Sequence, residues 1–125
     1  MIEYTIYFLS DGGLNAGNVQ ICDRVPSNTT FVPTAFTSSS GLGLALSSSS
    51  SPTNPTAYLT NAVDSDQGQF LAINAVLPAS CSSGSNTNGA VVVNVANSST
   101  TLANATSPGT PYNSYGFVRF WAKVN

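Results

Sequence analysis

Between Ile2 and Leu9 the side chains fall into two interleaved sets. Ile2, Tyr4, Ile6 and Phe8 lie on one side, and Glu3, Thr5, Tyr7 and Leu9 on the other. This period of two is that of a β-strand. Both sets carry bulky groups, so the strand is expected to be covered on both faces along part of its length. A polar loop, Ser10 to Gly17, leads into a second predicted strand over 17–23, with Val19 and Ile21 on one face. The corner Asp23-Arg24-Val25-Pro26 leads to a third over 29–36, where Pro33 points to an edge position or a bulge. Leu42, Leu44 and Leu46 alternate with small residues inside a serine-rich stretch that runs from Thr37 to Pro55. Further strands are predicted over 56–60, 68–77 and 89–95. The last strand puts Tyr115, Phe117, Arg119, Trp121 and Lys123 on one face and Val118, Phe120, Ala122 and Val124 on the other. No window holds a helical period. The pattern predicts one all-β domain over 1–125, an antiparallel β-sandwich of about 7–8 strands with long Ser/Thr/Asn-rich loops.

Composition narrows the function classes. Charged residues make up 6% of the chain, against about a quarter in ordinary domains. Ser, Thr and Asn supply the polar surface instead. Such a surface has little charge repulsion to keep copies apart, which favours association. Three basic residues and a net charge of -2 argue against nucleic acid and against an anionic membrane surface. No apolar run approaches the ~18 residues of a membrane-inserted helix. The first residues enter a strand at once, without the basic and then apolar regions of an export signal. The natural protein is therefore expected to continue upstream of Met1.

The chain has no histidine, so a Ser-His-Asp or Cys-His catalytic arrangement is ruled out. The carboxylates are Glu3, Asp11, Asp23, Asp64 and Asp66. No enzymatic activity, cofactor or metal centre is expected from this set. Asp64-Ser65-Asp66-Gln67-Gly68 has the oxygen spacing of half a calcium loop, but no acidic residue closes the pattern. A solvated turn is the simpler reading. Cys22 and Cys81 either pair or stand as separate thiols, and the secreted-looking composition favours the pair. Tyr115, Phe117 and Trp121 share one strand face. They make either a sugar-stacking platform or ordinary core and cross-strand aromatic contacts.

The segment YTIYFLSDGG…NVQICDRVPSNTTFVP, together with the closing SYGFVRFWAKVN, resembles a bacterial cell-surface repeat, the family called domain of unknown function eleven. The longer, serine-rich middle is similar to a cyanobacterial variant. The resemblance implies an Ig-like sandwich from a large exported tandem-repeat protein, extracellular or on the cell surface, with no known active site. Members of the family begin with a further strand, which is absent before Ile2 here. The strand carrying Ile2, Tyr4, Ile6 and Phe8 is thus expected to offer an open edge, a site for strand addition. The expected function is a structural module of a surface or fibre protein, with other copies or neighbouring repeats as partners. The alternative is an adhesion module that binds glycan or another surface protein through the long loops 37–55 and 96–114 or through the aromatic face.

Overall fold

The computed structural model describes residues 1–46, 52–81 and 84–125. The serine run 47–51, expected to flank a leucine strand, and residues 82–83 of the loop around Cys81 lie outside the described residues. Eight strands are named: β1 Ile2–Leu9, β2 Gln20–Arg24, β3 Thr29–Phe31, β4 Leu42–Leu46, β5 Ala57–Leu59, β6 Gly68–Leu71, β7 Ala90–Asn94 and β8 Tyr115–Val124. They form two antiparallel sheets, as the alternation predicts. One has the order β1-β8-β4-β5 with β3 also on β8, and the other has the order β2-β7-β6. Ala122 faces Ile2 on one side and Phe31 on the other. β3 therefore lies on the β4 side of β8, taking over where β4 ends at Leu42 opposite Phe120.

The inner faces of the two sheets make the core. Val118, Phe120 and Ala122 of β8 and Leu42 and Leu44 of β4 pack in one cluster with Val91 and Val93 of β7. Phe31 stacks on Phe70 at 4.3 Å between ring centres, a contact that joins the two sheets. Phe120 is fully buried and stacks on Tyr4 at 5.1 Å. Burying each side chain of this size contributes about 1.5–3 kcal/mol. β4 and β8 run so close that a Cβ on Gly116 would sit 2.0 Å from the Ala45 carbonyl oxygen.

The outer face of the smaller sheet is closed by a covalent tie. Cys22 and Cys81 form a disulfide with a Cα–Cα distance of 5.0 Å. Cys22 sits directly opposite Val92. The bond holds the Cys81 segment over this face, and Val92 is buried although it points away from the Val91/Val93 core. At the end of the sandwich, the loop after β1 zips onto the loop after β7. Ala16 and Leu102 exchange backbone hydrogen bonds, Val19 and Ala96 do the same, and the Ala105 N–H donates to the Ser10 carbonyl. Leu102 is buried beneath this closure. The long loop 96–114 is thus built in part as a cap on the core.

Two predicted strands stop early, for identifiable reasons. The run 29–36 leaves the sheet after Phe31. Its final bond runs from the Val32 N–H to the Trp121 carbonyl, and Pro33 has no N–H to continue. The run 68–77 ends at Leu71. Beyond it Asn74 adopts a left-handed φ of 66°, a conformation asparagine tolerates better than most residues. The buried Asn86 amide donates to the carbonyls of Ala72 and Ala75, while its Oδ1 accepts from the Gly89 N–H. Asparagine amides thus hold loop geometry in a chain that has few charges for the purpose.

Candidate functional site

Two neighbouring features stand out on the larger sheet: the free edge of β1, and a cleft on its outer face.

The edge is defined by the phase of the ladder. The Ser10 N–H donates to the Ser114 carbonyl, and on the opposite side of β8 the Val32 N–H donates to the Trp121 carbonyl. Backbone direction alternates along an antiparallel strand. With the β1–β8 register, these two bonds direct the N–H and C=O groups of Ile2, Tyr4, Ile6 and Phe8 toward β8. The groups of Glu3, Thr5, Tyr7 and Leu9 face outward, where no backbone partner is present among the described residues. The expected edge is therefore β1, but the residues that carry it are the alternate set. Tyr4, Ile6 and Phe8 turn their side chains to the core. The expected cover on both faces of this strand is also incomplete, since Tyr7 is 76% and Leu9 55% exposed.

The outer face is a grid of cross-strand rows. One row runs Thr5–Arg119–Gly43–Tyr58 across β1, β8, β4 and β5. The row beside it holds Glu3 and Trp121, with Val32 alongside. On the other side lie Tyr7, Phe117 and Ala45. Gly43 leaves a vacancy in the middle of the grid. The connection after β3 and the segment before β5 descend into it, so that a Cβ on Gly43 would lie 2.5 Å from Pro55 and 3.3 Å from Phe36. Phe36 stacks on Tyr58 at 5.2 Å. Between this pair and Trp121 opens a cleft of about 360 Å³, also lined by Glu3, Asn54 and Arg119.

The floor of the cleft is polar. The Arg119 Nε–H donates to Thr5 Oγ1 at 3.1 Å, Thr5 Oγ1 donates to Glu3 Oε1 at 3.3 Å, and Arg119 Nε lies 3.4 Å from the same carboxylate oxygen. The guanidinium carbon sits 4.6 Å from the centre of the Phe117 ring. The wall is fixed by Asn61, whose amide donates to the Pro33 and Ser39 carbonyls and whose Oδ1 accepts from the Gly41 N–H. Asn61→Ala removes all three bonds from the segment that carries Phe36. At 0.5–1.5 kcal/mol for each net bond, a loss of about 2 kcal/mol is expected in denaturant unfolding; unchanged stability would contradict this role.

The three aromatic residues singled out from the sequence separate in space. They do share the outer face, but Phe117 is 3% exposed. Tyr7 packs edge-on against it at 5.7 Å, from the directly opposed position. It is a cross-strand pair beneath Arg119 and offers no open ring. Tyr115 is half-buried, in the row beyond Phe117. Trp121 alone of the three lines the cleft.

The Asp64–Asp66 turn binds itself. Asp64 accepts from the Thr60 hydroxyl at 2.5 Å and the Asp66 N–H at 2.9 Å, and Asp66 accepts from the N–H groups of Thr60 and Gly68. Among the described residues no group of three or more acidic or sulfur ligands gathers for a metal. The Thr60 hydroxyl, and then the Asp66 N–H, hold the Asp64 carboxyl below its ordinary value of 3.8. A depressed carboxyl contributes stability above its unfolded value and loses it as pH falls through the folded one. Thermal unfolding followed below about pH 4 should therefore show a shallower acid decline in Asp64→Asn than in the parent chain; identical slopes would contradict it. Asp23 behaves oppositely: burial pushes its carboxyl up, against a lowering backbone bond from Arg24.

No protein-family model, no curated protein and no solved structure matches the chain. Among the described residues no helix is long and apolar enough to cross a membrane.

Proposed function

We propose that the chain is a non-enzymatic structural module of an exported bacterial cell-surface or extracellular fibre protein, and that it joins further copies through the β1 edge. The observation that carries this reading is the eight-residue edge strand with outward backbone groups at Glu3, Thr5, Tyr7 and Leu9. Natural sheets blunt such edges with lysine, proline, bulges or short strands. β1 contains neither lysine nor proline, and the other edge strands, β2, β3, β5 and β6, have five, three, three and four residues. Antiparallel addition of a second β1 about a two-fold axis pairs Thr5 with Tyr7 and Glu3 with Leu9 of the second copy. This makes about eight new backbone bonds and one continuous sheet. The charge-poor surface adds little repulsion, and the Cys22–Cys81 bond suits an oxidising compartment. Light scattering across a concentration series tests the proposal. A mass that rises to dimer or beyond is expected, and a monomer at every concentration would overturn it.

A further inference from the structure

We infer that the cleft between Trp121 and the Phe36–Tyr58 pair is a binding site for a short, uncharged saccharide. This site is separate from the β1 edge and rests on different observations. The first is the shape and character of its walls. Two aromatic surfaces, Trp121 on one side and stacked Phe36 and Tyr58 on the other, flank a space of about 360 Å³. Ring faces of this kind pack against the C–H faces of sugar rings, while tyrosine and tryptophan keep a polar handle at one end. The volume lies near the lower limit of small-molecule pockets, which suits one or two rings better than a long chain.

The second observation is a set of polar groups that the fold leaves unused. Arg119 commits its Nε–H to Thr5 and Glu3, but Nη1 and Nη2 have no hydrogen-bond partner among the described residues. The side chain is only 15% exposed. The Trp121 indole N–H, the Tyr58 hydroxyl and the Asn54 amide likewise have no partner among the described residues. Tyr58 and Asn54 are exposed, whereas Arg119 and Trp121 are partly buried, where polar groups are ordinarily satisfied within the protein or by ordered water. All four residues line the one cleft and bring donors and acceptors the fold does not use.

The third observation selects the ligand class. Glu3 and Arg119 offset each other at the floor, so the pair gives little preference for an anion or a cation. An apolar occupant would strip water from this ion pair and return no hydrogen bonds, which is costly. A hydroxyl both donates and accepts. A vicinal diol can therefore accept from the Arg119 fork and donate to Glu3 while its ring lies against Trp121.

Trp121 is the chain's single tryptophan, so its emission reports on the site directly. The probes are a panel of neutral mono- and disaccharides, with uronic-acid counterparts, added at a protein concentration where the chain is monomeric. A saturable change in Trp121 emission with at least one neutral saccharide is expected. Tyr58→Ala should weaken that binding about tenfold or more, the equivalent of losing one stacking face. Asn54→Ala changes an exposed side chain without a partner in the fold and should weaken it severalfold while leaving the unfolding temperature unchanged. The inference is overturned if no saccharide on the panel changes the emission. It is also overturned if only acidic saccharides do so, or if binding is the same in both variants.

Discussion

Replacing Cys22 and Cys81 together by serine should lower the unfolding free energy by about 4 kcal/mol. The two residues are 59 positions apart, so the bond closes a large loop in the unfolded chain. The chain-entropy argument gives most of its stabilisation to such loops. The effect on the folded side points the same way. Cys81 lies over the outer face of the smaller sheet, where Val92 is 1% exposed. Without the bond, the hydrogen bonds from Ser80 to Gln20 and from Arg24 to the Gly84 and Ser85 carbonyls are left to hold this segment against β2. Small domains have only 5–15 kcal/mol of stability in total, so this loss is a large share. The unfolding temperature should fall by roughly 10–20 °C. Calorimetry on the double variant checks it, and a change under about 1 kcal/mol would show that the tie is incidental.

Proline at Thr5 should abolish association and leave the single domain folded. The reason lies in the ladder phase. The Thr5 N–H faces away from β8, so proline there removes no bond of the β1–β8 pair. Edge strands accept proline at such positions, since the ring also suits extended backbone. A second chain, however, would lose one donor and meet the ring where its own backbone must approach. Ile6→Pro is the control. It removes an inward N–H and a core side chain, so it should destabilise the fold by about 3 kcal/mol or more. If both prolines act alike, either the ladder phase or the role of the edge is wrong.

Much of the fold was legible because period-two alternation is set by neighbours in sequence. Ile2–Leu9, Leu42–Leu46 and Tyr115–Val124 read directly in this way, and Ala90–Asn94 read as a continuous β-prone run. The strand ends did not, because they depend on partners far along the chain. Leu71 is followed by a turn that Asn86 holds, and nothing local to 72–77 reveals it. The β1 edge was legible as a strand but not in its phase. Alternation tells which side chains face the core; which backbone groups face outward depends on the flank that β8 occupies. The cleft was largely hidden. Trp121 was visible, but Phe36, Asn54 and Tyr58 come from segments whose approach depends on a missing side chain at Gly43. Phe117 left two readings open, a stacking platform or a cross-strand contact, and the structure gives the second: Tyr7, which covers it, is more than a hundred residues away in sequence.

Residue-resolved amide hydrogen exchange at low and high protein concentration tests edge association most directly. In the dilute chain the amides of Tyr4, Ile6 and Phe8 should be protected and those of Thr5, Tyr7 and Leu9 should exchange fast. On concentration, Thr5, Tyr7 and Leu9 should gain protection together while the edges at β2, β5 and β6 stay unchanged. Association that protects another edge, or no concentration dependence at Thr5 and Tyr7, would contradict the account.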